Sequence, residues 1–345
     1  MNKERIRKIL FIGLAIWCLI LTVTIAKQNR QKEIVNEYNV SGFSTDFTKV
    51  IDKDISSVVT IKADGDVSTG FVYKQVEDKV YIVTSSHGIS DARNIVVSFA
   101  NNMNINATLL GKNDYADIAL LELSLPFEIN SLKFDDVTLL KPGEFLISIG
   151  TAGSSKYAQS IELGMFSSIR NIKNSITVDS KTKEYYLDVI QITSDLTKGY
   201  SGSPLINMEG DVVGMITMSI DDEINFAITS NEIKLVADKI IAGENANKYD
   251  LGISGSYIKN MPMYLKTNLN INIDTIYGLY IEEIDDDSIS YFTGIRNSDI
   301  ITEINGIKLN SLNDYLNICY THSDVLSYKI IRNGEEIEFV VNIDD

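Results

Sequence analysis

Three residues of this chain have the types needed for nucleophilic catalysis: His87, Asp117 and Ser201. His87 follows the run YIVTSS (81–86), Asp117 directly precedes IALLEL (118–123), and Ser201 sits between Gly199 and Gly202 in the segment TKGYSGSPL. A serine hydroxyl is a poor nucleophile until a base takes its proton, and imidazole is the natural base near neutral pH. A carboxylate on the other ring nitrogen would hold the imidazole in one tautomer. A G-x-S-G turn can aim the N–H groups of Gly199 and Ser201 at one point, where a developing oxyanion needs donors. This chemistry calls for no cofactor and no metal. The chain has two His and two Cys, too few for a disulfide framework and poorly suited to a zinc site. His322, in THSD (321–324), reads as an exposed loop residue, so histidine chemistry falls to His87. The triplet Asp285-Asp286-Asp287 lacks the alternating spacing of a calcium loop and reads as the polar start of a short helix.

The elements that must position these groups are mostly strands. From about 49 to 230 the chain runs in short apolar stretches broken by Gly, Asn, Asp and Ser, such as VYIVTSS (80–86), GEFLISIG (143–150) and DVVGMITM (211–218). Many short strands with turn signals between them predict a sandwich or barrel. Thr229 and Glu232 form a capping box for a helix with Ile233, Val236, Ile240 and Ile241 on one face, stopped by Gly243. The polar stretch GENANKYD (243–250) predicts a joint between a domain over 49–243 and an α+β unit over 248–345. In that unit YGLYIEEI (277–284) predicts a strand, Ser311 opens a helix over 312–320, and Asn333-Gly334 turns a hairpin.

Residues 9–26 are 18 consecutive uncharged residues after a basic segment (1–8). That length is near the ~20 residues of a membrane-spanning helix and predicts an uncleaved signal anchor. A cleaved signal peptide ending at Thr24-Ile25-Ala26 is the alternative. The free amino terminus and the basic cluster put the N-terminus in the cytoplasm and everything after it on the extracytoplasmic side of the cell membrane. Residues 27–48, with Tyr38, Phe43 and Phe47, read as a linker. The whole chain carries 31 Lys+Arg against 47 Asp+Glu, a net charge of −16. Without residues 1–26, which hold four basic residues and one acidic residue, the balance is 27 against 46, or −19. Such a surface opposes nucleic-acid binding.

The order His, Asp, Ser and the local contexts resemble the trypsin-like serine proteases, with their T-A-A-H, D-I-A-L and G-D-S-G-G-P signatures. More narrowly, the chain resembles the HtrA/DegS group. STGFVY (68–73), INFAITSNEI (224–233) and GIRNSDIITEINGIKL (294–309) carry that likeness beyond the three site segments. The resemblance implies a mainly β, two-barrel trypsin-like (chymotrypsin-fold) protease domain followed by an α+β PDZ domain. In the latter, Leu251, Gly252 and Ile253 of the loop after Tyr249-Asp250 would grip the carboxylate of C-terminal peptides. It also implies a homotrimer assembled through 27–48, protein or peptide substrates, and a mobile element drawn from 168–188 and 195–199. Asp195, Thr217, Met218, Ser219 and Phe226 would wall the specificity pocket, which Phe226 and Ile228 would line or shorten. Asp195 lies where trypsin selects Lys or Arg, whereas the HtrA relatives favour aliphatic residues, which is the expectation here. Departures are Ser85-Ser86 before the histidine, Tyr200 before the serine, Ser203 after Gly202, and Ser298 in place of a PDZ-type Gly. None removes a catalytic group. The rival reading is a non-catalytic barrel that presents a peptide-binding PDZ domain.

Overall fold

The apolar runs become strands, each ending where a turn former interrupts it. The computed structural model describes residues 47–90, 92–178, 181–194, 196–220, 224–272 and 274–342. The expected anchor (9–26), most of the linker and Asp195 lie outside them. Among the described residues no helix is long and apolar enough to cross a membrane. A helix, α1 (Phe47–Asp54), begins inside the expected linker and leads into β1 (Val58–Ala63), β2 (Asp66–Val76), β3 (Lys79–Ser85), β4 (Ile95–Ser98), β5 (Asn104–Asn113) and β6 (Ile118–Ser124). These strands close into an antiparallel barrel in the order β1-β2-β3-β6-β5-β4. Val59, Ile61, Val80, Ile82, Ala119, Leu121 and Leu123 fill it. The alternate residues of β6, Ile118 and Leu120, are also fully buried. Both faces of the strand are covered, which is why IALL (118–121) is a continuous apolar run and not an alternating one.

The second barrel uses β7 (Lys133–Phe134), β8 (Phe145–Gly150), β9 (Ser160–Val178), β10 (Lys181–Thr193), β11 (Pro204–Ile206), β12 (Asp211–Ile220) and β13 (Ile224–Thr229). Its order is β11-β8-β9-β10-β13-β12-β7, and β11 pairs back to β12 to close the ring. Residues 168–178 and 181–188 lie in the long β9–β10 hairpin. Helix α2 (Ser230–Ala242) follows, its N-terminus capped by Thr229 Oγ1, which accepts from Glu232 N–H at 3.4 Å. The helix lies so close to β5 that a Cβ on Gly111 would meet Ile240 at 2.8 Å.

The C-terminal unit holds β14 (Ile253–Tyr257), α3 (Met263–Asn268), β15 (Leu279–Ile284), α4 (Ile289–Thr293), β16 (Ile300–Ile304), β17 (Ile307–Lys308), α5 (Leu312–Cys319), β18 (Val325–Arg332) and β19 (Glu335–Asn342). Its sheet runs β14-β15-β16-β18-β19, with β17 paired to β16. Asn333 and Gly334 both have positive φ (53° and 83°), as the tight hairpin turn demands. Ser298, read in the sequence as standing in place of a PDZ-type Gly, adopts φ 71°. Beside it, buried Asp299 takes both Nε and Nη2 of Arg332 at 2.7 Å, a two-pronged ion pair that ties β16 to β18.

The polar stretch 243–250 lies within one compact unit, Thr48–Asp345, where Ala246 and the Lys248 side chain are buried. One expectation needs correction: Glu232 does not complete a capping box. Its carboxylate is fully buried, 3.1 Å from Lys248 Nζ, and accepts the Tyr320 hydroxyl at 2.8 Å. Burial works against the Lys248 ammonium, but the carboxylates of Glu232 and Asp188 outweigh it and hold Lys248 above the ordinary lysine range. Polar composition hid this docking contact, since an ion pair looks like linker until its partner is known. Removing one member of a buried pair strands the other charge. Lys248→Met is therefore expected to lower the unfolding free energy by about 3–5 kcal/mol, read as a fall in the urea midpoint. Adding Glu232→Met should recover most of the loss.

Candidate active site

The strand ends bring the three sequence-selected groups together at the meeting of the two barrels. His87 opens a short 3-10 turn just after β3, Asp117 immediately precedes β6, and Ser201 lies in the turn before β11. Because β3 and β6 are paired, with Ser85 opposite Ile118, His87 and Asp117 leave the first barrel side by side. His87 Nδ1 lies 2.8 Å from Asp117 Oδ2, and Nε2 lies 3.0 Å from Ser201 Oγ. The backbone N–H of His87 donates to Asp117 Oδ1 at 2.9 Å. Asp117 has φ 53°, a left-handed conformation that Asp and Asn tolerate better than other side-chain-bearing residues. The hydrogen bond to Asp117 raises the His87 pKa above the ordinary imidazole value; burial opposes this and the Asp117 charge adds to it.

The nucleophile turn requires its glycines. A Cβ on Gly199 (φ 95°) would sit 2.1 Å from Thr151 O, and one on Gly202 (φ 85°) 2.0 Å from Thr69 O. The carbonyls of Lys198 and Tyr200 are taken by Gly153 N–H (2.6 Å) and Ser203 N–H (2.8 Å). A peptide bond is planar and trans, so each pinned carbonyl turns the next residue's N–H the opposite way. Those N–H groups belong to Gly199 and Ser201, and neither takes a partner among the described residues. The arrangement can stabilise negative charge beside the serine oxygen.

Tyr200, just before the serine, is 1% exposed and lies against Gly150. It anchors the turn by packing. Thr217 was expected in the specificity wall. Its hydroxyl donates to Asp117 Oδ2, and its carbonyl lies 3.4 Å from Ser201 Oγ. Phe226 is buried on β13, paired in register with Met218 of β12. The side chains of Met218 and Ser219, like Asp195, lie outside the described residues. His322 is exposed beside Asp324 at 3.4 Å. Gly252 N–H, expected to face a peptide carboxylate, already donates to Asp250 Oδ1 at 2.9 Å, while Leu251 and Ile253 are buried.

Sequence reasoning missed several supports. Ser86 Oγ donates to Asp114 Oδ1 at 2.5 Å, and Asp114 pairs with Lys112 at 2.8 Å. Asn113 accepts Ala116 N–H at 2.9 Å and donates to Ala246 O at 2.6 Å. Both brace the turn that presents Asp117. The Ser86–Asp114 and Asn113–Ala246 bonds span 28 and 133 residues, so spacing does not announce them, whereas Asn113–Ala116 and Lys112–Asp114 are local contacts that the run Lys112-Asn113-Asp114 could have suggested.

Two β-barrels with a His–Asp–Ser relay where they meet define a trypsin-like serine peptidase. The trypsin-like peptidase domain family matches residues 68–215. The serine protease Do-like HtrA of Lactobacillus helveticus is 26% identical over 286 residues, covering 80% of this chain and 68% of that protein. Its counterpart from Bacillus subtilis is 27% identical over 285 residues, covering 80% and 63%. The chain thus spans about two thirds of the length of these relatives. Among solved structures, the HtrA-type protease AlgW with tripeptide superposes with a TM-score of 0.60 at 19% identity, over 86% of this chain and 96% of that one. A serine endoprotease from Yersinia pestis gives 0.51 at 20% identity, over 86% and 97%. The chain thus carries a trypsin-like peptidase domain and is similar over most of its length to HtrA-type serine proteases.

Proposed function

We propose that this chain is a membrane-anchored, extracytoplasmic endopeptidase that cleaves misfolded or regulatory proteins. Ser201 Oγ attacks the scissile carbonyl while His87 Nε2 takes its proton; His87 then gives that proton to the leaving amine, freeing it and leaving an acyl-enzyme. Water, deprotonated by His87, hydrolyses the ester and restores Ser201. Asp117 holds the Nδ1–H tautomer and stabilises the imidazolium. The Gly199 and Ser201 N–H groups hold the oxyanion in both halves of the reaction. The observation that carries the reading is the unbroken relay from Asp117 through His87 to Ser201, at 2.8 and 3.0 Å, beside two unengaged donors.

The C-terminal sheet and its helices support a PDZ-type role, in which a C-terminal peptide adds to the edge strand β14. Gly252 N–H is held by Asp250, so a peptide carboxylate would have to displace that side chain. Peptide binding switches the enzyme on only insofar as it favours one arrangement of the active-site loops. Assembly as a trimer through 27–48 and anchorage through 9–26 belong to the same proposal.

A fluorophosphonate probe tests the core of it. Wild-type protein is expected to label at Ser201, with or without added C-terminal peptides, and a peptide library should be cut after small or medium aliphatic residues. Absence of any adduct under both conditions would favour the non-catalytic binding reading. Predominant cleavage after Lys or Arg would instead assign specificity to Asp195.

A further inference from the structure

We infer that Thr69 is a positioning residue that sets the angle between the two oxyanion donors, an inference that rests on the reading of Ser201 as nucleophile. Thr69 lies on β2 of the first barrel and is fully buried, yet three of its polar groups act on or beside the nucleophile turn of the second. Its N–H donates to Ser201 O at 2.9 Å. Its hydroxyl donates to Gly199 O at 2.7 Å and accepts Thr151 N–H at 2.9 Å. Its carbonyl accepts the hydroxyl of Thr84 at 2.6 Å, on the strand that leads to His87.

The hydroxyl bond to Gly199 O matters most. Three consecutive peptides build the turn: Lys198–Gly199, Gly199–Tyr200 and Tyr200–Ser201. The outer two carry the oxyanion donors and are held by Gly153 N–H and Ser203 N–H. The middle one fixes how the outer two are inclined to each other. Its own N–H, on Tyr200, makes a long 3.3 Å contact with Thr197 O, so its short tie is the 2.7 Å bond from Thr69. A hydroxyl has a single proton. With Thr151 N–H donating to the Thr69 oxygen, that proton is committed to Gly199 O. Thr151 is itself held by Thr60, whose hydroxyl lies 2.8 Å from that of Thr151. The first barrel thereby reaches through two threonines to the peptide between the donors.

The test compares Thr69→Val, which keeps the shape and removes the hydroxyl, with Thr69→Ser, which keeps the hydroxyl and removes the methyl. Activity on a peptide substrate is expressed per site titrated with a fluorophosphonate, so unfolded protein does not enter. Deleting an oxyanion donor outright costs about 10²–10³ in kcat, and releasing the peptide that orients the donors should cost part of that. Thr69→Val is expected to lose about 10–100-fold in kcat with KM unchanged. The acid limb of its pH profile should stay in place, because His87 and Asp117 are untouched. Thr69→Ser should keep near wild-type kcat. The inference is overturned if Thr69→Val retains wild-type kcat per site, if its loss is in KM, or if Thr69→Ser is equally impaired. Should Thr69→Val yield no folded protein, Thr69→Cys, with a weak thiol donor, carries the same expectation and is overturned by the same outcomes. Failure of the wild type itself to label at Ser201 overturns the protease reading and this inference together; a wild type that labels, with Thr69 variants that give any of the overturning outcomes above, overturns the inference alone.

Discussion

Ser201→Ala is expected to lower kcat by about 10⁶, and His87→Ala by a similar factor. The double variant should be little worse than either single one, because nucleophile and base act as a unit and losing one idles the other. The relay geometry makes this the natural outcome: Nε2 of His87 lies 3.0 Å from Ser201 Oγ. The two N–H donors survive both substitutions, so a residual rate of about 10³ over uncatalysed hydrolysis should persist. His322→Ala is the control. Its side chain is exposed beside Asp324, far along the chain from the relay, and its loss should leave kcat unchanged. The measurement is hydrolysis of casein or a fluorogenic peptide, paired with mass spectrometry of the fluorophosphonate adduct. More than a few per cent of activity in Ser201→Ala would remove Ser201 from the mechanism.

The relay was legible from sequence because each member sits at the end of a strongly patterned element. A buried strand announces itself by composition, and the small residues and glycines after it locate the turn. The caps at Thr229 and Gly243 and the Asn333-Gly334 turn were equally readable, since their chemistry is local. What escaped the sequence is what depends on partners far along the chain. Lys248 and Glu232 read as a linker residue and a cap, and are instead a buried pair. Thr217 read as a pocket wall, and its hydroxyl supports Asp117 across 100 residues. Thr69 drew notice only as part of STGFVY, and its contact with Gly199 spans 130 residues. A threonine in a strand gives no sign of which carbonyl its hydroxyl will meet, so the supporting shell of the site had to be seen in three dimensions.

Asp117→Asn is expected to cost about 10⁴ in kcat while leaving the fold intact. Asparagine is the right replacement on two grounds. The backbone at Asp117 is left-handed, with φ 53°, which Asn accepts and Ala resists. Asn also nearly matches the carboxylate in size, so its Oδ1 keeps accepting the His87 N–H, while the Thr217 hydroxyl, which donates to Oδ2 in the wild type, turns to accept from the amide nitrogen that replaces it. An amide N–H facing Nδ1 would force that nitrogen to accept. The imidazole proton would then move to Nε2, which faces Ser201 and could no longer remove its proton. The pH profile carries a second, independent signature. The hydrogen bond to Asp117 raises the His87 pKa, and the Asp117 charge adds to it against burial. In the wild type kcat/KM should therefore rise with pH through a midpoint above the ordinary imidazole value of about 6.5, because catalysis needs neutral His87. In Asp117→Asn both raising causes are gone, and the limb should move to lower pH beneath a far lower plateau. The same pair bears on stability with a definite sign. A histidine whose pKa is raised by folding stabilises the native state below its unfolded pKa, and that contribution fades as pH rises through the folded value. The thermal stability lost on His87→Ala should thus be larger in mild acid than above the acid limb. A wild-type limb at or below the ordinary imidazole value, or one that stays in place in Asp117→Asn, would show that Asp117 does not hold the proton on His87.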